Sequence, residues 1–399
     1  MELDPEQYSL KQEEHQRIFD QRIKPEIFKD YMQPASHPVA VILGGQPGAG
    51  KSGILQAAFY ELSQRGATVQ IVGDNFRKYH PQYAELQIAN DKTAAFYTDR
   101  DSGRWVEKTL EEAKKRRVNI VIEGTMRSSD VVAKSVEKLR PEYEIDVRVL
   151  AVKFSLSEQG ILLRYEGQKY DQGIGRWTTP EAHRAGYEGV PATIERIEHE
   201  CLADRIKIYK RSGQIIYSNE LKNGKWVYEP QARYVMALER DQPLTTQEQH
   251  DYLKGFDQLS NLLTRPDRAA SLEEISQIEK MRQRARNQGP QHGTVPQSIR
   301  PERVVAFEKL PKEDALREYP ELVEAYKALD KGIECAQRIY PGKQAAQNDF
   351  GREVKQHISK RLVTGETKNF AYTEKEKTAL KERIAGLQKS KTQEPKIER

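Results

Sequence analysis

The run Gly45-Gln46-Pro47-Gly48-Ala49-Gly50-Lys51-Ser52 has the G-x-x-x-x-G-K-S spacing of a loop that grips phosphate. Glycines at these positions let successive backbone N–H groups turn inward around an anion, and a helix starting at Lys51 adds its positive end. Lys51 can then reach the terminal phosphates, and the Ser52 hydroxyl is placed to ligate Mg2+. The loop specifies a nucleoside triphosphate, ATP or GTP, and leaves the reaction open. Neither a GTPase base-reading motif nor an apolar strand closing on the aspartate of a large ATPase stands out.

Two acids follow at predicted strand ends. Asp74, in Asp74-Asn75-x-Arg77, is suited to accept the proton of an attacking hydroxyl, although a strand-terminal aspartate can equally cap a helix. Glu123, in Glu123-Gly124-Thr125-x-Arg127, can support the metal through water or hold a substrate, or again cap a helix. Thr125 and Arg127 can hydrogen-bond a sugar or a phosphate. Arg164 and Arg176 stand on a predicted helix and the loop after it. There they can neutralise charge on a moving phosphoryl group.

The elements that must position these residues alternate strand and helix. A continuous apolar run, residues 39–44, reads as a buried parallel strand, and Ile54, Leu55, Ala58, Phe59 and Leu62 keep helical spacing after the loop. Strands are expected at 68–72, 118–122, 146–154 and 215–217. Helices are expected at 104–116, 129–139, 157–170 and, as one long element, 180–211. This order predicts an α/β fold, a doubly wound parallel sheet with ligands beyond the carboxyl ends of the strands. Four segments are expected: an N-terminal helical segment (1–38), the P-loop core (39–240), a helical accessory domain (241–370) and a charged tail (371–399). Within the accessory domain 287–293 reads as a linker and 311–339 as a helical stretch.

Composition narrows the function classes. The 399 residues carry 65 Lys and Arg against 60 Asp and Glu, a net charge of +5. That balance argues against a strongly basic nucleic-acid binder. No run is long enough to span a membrane, and Met1-Glu2-Leu3-Asp4 is unlike a signal peptide, so a cytoplasmic protein is expected. Cys201 and Cys335 are far apart and near no His/Cys cluster, which argues against a disulfide framework or a zinc site.

The order of motifs resembles the zeta toxin family of the epsilon/zeta toxin–antitoxin systems. The matching residues are the phosphate loop, Asp74-Asn75, His80-Pro81-x-Tyr83, Glu123-Gly124-Thr125, Arg164-Tyr165-Glu166, and Arg176 followed by Thr179-Pro180 and His183. They span roughly residues 38 to 200. The resemblance implies ATP- or GTP-dependent phosphorylation of the 3′-hydroxyl of the sugar in UDP-N-acetylglucosamine, which starves peptidoglycan synthesis. It makes Asp74 the general base, Lys51 and Ser52 the phosphate and magnesium groups, and Arg164 and Arg176 the phosphoryl-stabilising pair. Glu123, Thr125, Arg127 and also Glu107 become substrate contacts. The spacing from Arg176 to Thr179-Pro180 departs by about one residue from the family pattern, which leaves Arg184 as a substitute. A separate small helical antitoxin is implied as partner. Residues after 240 have no counterpart in a minimal zeta toxin and are read as an accessory domain or an inhibitor in cis. Rival readings are a P-loop kinase for another small-molecule or nucleic-acid hydroxyl, and a non-catalytic nucleotide switch.

Overall fold

In a computed structural model of the chain, residues 4–287, 301–363 and 370 are described. The strands are β1 (Val39–Gly44), β2 (Thr68–Val72), β3 (Asn119–Glu123), β4 (Glu144–Leu150), β5 (Arg205–Tyr209), β6 (Ile215–Lys222) and β7 (Lys225–Trp226). They form one sheet in the order β2-β3-β1-β4-β5-β6-β7. β2, β3, β1, β4 and β5 pair in parallel, and β6 and β7 add an antiparallel edge. The doubly wound sheet is therefore present, with β1 in the middle of its five parallel strands, apolar on both faces and buried throughout.

Before the sheet, α1 (Gln12–Ile18) runs through a π turn (Phe19–Ile23) into α2 (Lys24–Ile27). The helices between and after the strands are α3 (Lys51–Ser63), α4 (Gly73–Phe76), α5 (Tyr83–Asn90), α6 (Ala94–Arg116), α7 (Ser129–Leu139), α8 (Phe154–Gln172) and α9 (Pro180–His199). α10 (Ala232–Asp241), α11 (Thr246–Leu263) and α12 (Leu272–Asn287) follow β7. One face of the sheet is covered through Ile54, Leu55, Ala58 and Leu62 of α3. The opposite face buries Trp105 and Leu110 of α6, Val136 of α7, Val190 and Ile194 of α9, and Val235 and Met236 of α10. Ile18, Phe19, Ile23 and Phe28 of the N-terminal segment join that second core, which fixes the segment as part of this layer.

Several elements depart from the expectations. The helix expected over 180–211 stops at His199; Cys201 takes φ 50°, and Arg205–Tyr209 turns into β5. The alternation Ile206-x-Ile208 is strand-like, and pairing with β4 realises it. α6 begins ten residues earlier than the expected 104, which brings Thr98 and Asp99 onto a helix. β4 ends at Leu150, short of the expected 154.

The chain separates into two compact units, residues 1–290 and 291–399. α11 and α12 thus belong with the sheet domain, although 240 was the expected boundary. They bury Tyr252, Phe256, Leu259, Leu263 and Met281 together with Leu156, Leu162 and Leu163 of α8. In the second unit α13 (Pro301–Lys309), α14 (Lys312–Glu318), α15 (Val323–Ile339) and α16 (Gln344–Val363) are helical. The helical stretch expected over 311–339 is broken at Tyr319-Pro320, because proline cannot continue the hydrogen-bond ladder. α15 and α16 touch where Gly332 meets Val354. The expected linker 287–293, except Asn287, and the tail 371–399 lie outside the described residues.

Candidate active site

Parallel register brings the site together. Leu43 of β1 and Val72 of β2 both pair with Glu123, so the three strands end level and Gly45, Asp74 and Glu123 emerge at one rim. The loop after β1 folds as its spacing requires. Gly48 has φ 76° and Gly50 φ 90°, and α3 starts at Lys51. A Cβ on Gly48 would sit 2.0 Å from the carbonyl oxygen of Ser157, so α8 packs directly on the loop. Gly45, Pro47, Ala49 and Ser52 complete the turn, with Ser52 exposed in the first turn of α3.

Lys51 is buried and folds back over the loop. Its Nζ donates to the carbonyls of Gly45 (2.8 Å) and Gln46 (3.2 Å) and lies 3.5 Å from Glu123 Oε1. Burial pushes its pKa down, with Glu123 opposing that shift. Gln46 is the loop residue whose side chain does not face the cradle. It is fully buried and donates to the Val152 carbonyl at 2.7 Å, so only its backbone lines the loop.

Asp74 opens α4, which continues β2 directly. One carboxylate oxygen accepts from Arg77 Nε at 2.9 Å, and the other lies 2.9 Å from Arg176 Nη1. Burial alone would raise this carboxyl's pKa. The guanidinium groups of Arg176 and Arg77 outweigh it and hold the pKa at about 2. Arg164 donates from Nη2 to Thr178 Oγ1 at 2.7 Å. Burial and then the neighbouring Arg176 lower its pKa to about 10, while Asp74 and Glu123 pull the other way. The Nε atoms of Arg164 and Arg176 are buried without a partner. Arg176 thus lies at the rim beside Asp74, whereas the Arg184 guanidinium lies 6.0 Å from the centre of the Phe154 ring.

On the substrate side, Thr125 is half-buried in the loop after β3, and exposed Arg127 lies 3.5 Å from Asp99. Glu107 is not brought to this rim. It is exposed on α6 and lines a separate charged groove of about 820 Å³ with Lys24, Lys114, Arg117 and Lys138. Ser102, five positions before Glu107 and so on a different face of the helix, is the residue that faces Gly73.

The sequence motifs contain Arg77 and Tyr83 without assigning either a role, and they do not include Asp99. Arg77 ties Asp74 to Asp99 (2.7 Å) and Thr98 (3.0 Å), and Tyr83 feels the charges of Arg77, Arg176 and Asp74. The i,i+3 spacing of Asp74 and Arg77 was a readable signal. Asp99 carried none, since the helix was expected to begin after it. The whole arrangement places two pairable carboxylates, one lysine and three arginines around the mouth of a phosphate loop.

The family model described as Zeta toxin matches residues 24–222. Toxin PezT of Streptococcus pneumoniae is 34% identical over 189 residues, which are 47% of this chain and 74% of that protein. Toxin zeta of Enterococcus hirae is 32% identical over 184 residues, 46% of this chain and 64% of the relative. A solved structure from the PezAT chromosomal toxin–antitoxin system of Streptococcus pneumoniae superposes with a TM-score of 0.55 at 26% identity. It covers 65% of this chain and 100% of that one. With that match over the sheet that carries the site, the chain belongs to the zeta toxin family.

Proposed function

We propose that this protein is a toxin kinase that transfers the γ-phosphoryl group of ATP or GTP to the 3′-hydroxyl of the sugar in UDP-N-acetylglucosamine, blocking peptidoglycan synthesis. The observation that carries a kinase reading is the pairing of Asp74 with Arg176 at the rim where Lys51 meets Glu123. A carboxylate there is suited to an alcohol, and the arginine beside it to the group the alcohol receives.

Lys51 and the loop amides bind the triphosphate. The Ser52 hydroxyl, exposed beside the loop, would be the residue that holds a divalent cation. When bound, it neutralises phosphate charge during transfer. Asp74 is ionised at neutral pH but is a weak base while two guanidinium groups hold it. Transfer therefore needs Arg176 to turn from Asp74 to the phosphoryl oxygens, which frees one carboxylate oxygen for the proton of the sugar hydroxyl. Arg164 stays anchored by Thr178 and adds charge from the other side. Glu123, Thr125 and Arg127 face the acceptor. By analogy with the toxin–antitoxin system in which its structural relative was characterised, a small antitoxin is the proposed partner.

Mass spectrometry of UDP-N-acetylglucosamine after incubation with the protein, ATP and Mg2+ tests this. One added phosphate on the sugar 3′-oxygen is the expected product. Phosphorylation of a different alcohol in a metabolite panel would keep the kinase and replace its substrate. Nucleotide binding with no transfer to any acceptor would leave a switch instead.

A further inference from the structure

α10 ends in a buried cation outside the segment that matches the family. Arg240 is 7% exposed. Its Nη2 donates to Gln46 Oε1 at 3.0 Å and its Nη1 to the Tyr187 carbonyl at 2.8 Å. The guanidinium carbon lies 3.9 Å from the centre of the Tyr187 ring. Arg240 Nε is buried without a partner, and among the described residues no ion pair within 4 Å reaches this side chain. Burial lowers its pKa to about 10, which leaves it charged at neutral pH.

Gln46 is fully buried, and its amide is used on both sides. It donates to the Val152 carbonyl and to Ser157 Oγ, and it accepts from Arg240. The backbone carbonyl of the same residue accepts from Lys51 Nζ at 3.2 Å and from Ala49 N at 3.2 Å. Fixing the Gln46 side chain therefore fixes the peptide against which Lys51 rests. A positive charge with no carboxylate in direct contact, Asp241 acting on it only from beyond ion-pair distance, also lies directly behind the loop that is to receive a polyanion.

We propose that Arg240 is a positioning residue for the phosphate-binding loop. It holds the Gln46 peptide in the orientation that presents Lys51, and its charge favours ligands in proportion to their phosphates. The inference rests on the nucleotide site proposed above. It also makes the helix after the family match part of the catalytic unit. A mere strut between α10 and the core would lower stability and leave nucleotide selectivity alone. A positioning charge instead acts more on ATP than on AMP.

The test is calorimetric titration of the full-length wild type, Arg240→Met and Arg240→Lys with ATP, ADP and AMP, alongside melting curves. In folded Arg240→Met, ATP affinity should fall about tenfold, as expected for one charge-assisted hydrogen bond, with a smaller loss for AMP. Arg240→Lys should recover part of the ATP affinity, because it keeps the charge but cannot bond Gln46 and Tyr187 together. Equal losses for all three nucleotides, or none in a folded variant, overturn the proposal. If the methionine variant does not fold, an unchanged ATP affinity in Arg240→Lys overturns it instead. A wild type that binds no nucleotide overturns the nucleotide-site reading, and this inference with it.

Discussion

At the scale of single residues, the site is a competition for arginines. Asp74 is held from both sides by Arg77 and Arg176, and its depressed pKa means that protonation does not limit it anywhere near neutral pH. Asp74→Asn keeps the shape of the side chain and removes the base. Transfer should fall about a thousandfold, while ATP affinity measured by titration stays within a factor of a few. A variant with normal turnover would take the base role away from Asp74. A second titration concerns stability. Burial, and then Arg184, lower the pKa of His183 to about 4 from the ordinary 6.5, and its Nε2 lies 2.8 Å from Ser157 Oγ. The unfolded chain then binds a proton below pH 6.5 that the folded chain refuses until about pH 4. The contribution is full above pH 6.5 and is lost as pH falls across that window, by up to about 3 kcal/mol. His15, also lowered by burial, acts in the same direction. Urea midpoints of His183→Gln should therefore depend less steeply on pH between 6.5 and 4 than those of the wild type. Identical slopes would assign the acid sensitivity to other groups.

Elements set how closely those residues meet. α8 lies against the phosphate loop at Gly48, and the α9 helix lies against the loop after β3 at Gly189, where a Cβ would come within 2.3 Å of the Arg127 carbonyl. Gly48→Ala faces two penalties, a left-handed φ of 76° and a clash with the Ser157 carbonyl. It should displace the loop or α8, lower stability by about 1–3 kcal/mol and remove measurable ATP binding. A crystal structure of this variant with an undisturbed loop would contradict the packing described. The role of α8 is thus double: its start packs against the loop at Gly48, and Arg164, ten residues after Phe154, faces the rim.

For the whole molecule, the second face of α8 matters. α11 and α12 cover Leu156, Leu162 and Leu163, and Arg268 makes a paired contact with Glu166 at 2.7 and 3.0 Å. Ending the chain at residue 240 exposes that apolar face, whereas ending it at 287 keeps it covered. Residues 1–287 should melt cooperatively and bind ATP like the full chain. A fragment ending at 240 should melt several degrees lower or aggregate on heating. Equal melting curves would show that the two helices are dispensable. If the later residues inhibit in cis, residues 1–287 should slow bacterial growth more than the full chain, and Lys51→Ala should abolish the effect.

The candidate residues were legible because their order is local: a glycine pattern that suits a phosphate loop, acids at the ends of the second and third apolar runs, arginines on a later helix and the loop after it. The apolar runs themselves predicted the parallel sheet. β5 was hidden because its alternation, Ile206-x-Ile208, is too short to stand out after a long helical pattern, and pairing with β4 is what makes it a strand. Glu107 entered only through the family resemblance, and the rotation of α6 about its axis turns it to a different groove. The inward side chain of Gln46 and the reach of Arg240 to it, 194 positions apart in sequence, depend on long-range packing that no spacing encodes. Residue types and their order determined which groups can act on a phosphate. Tertiary structure decided which of them share a rim, because strand register and helix rotation set direction, and direction is not written in local sequence.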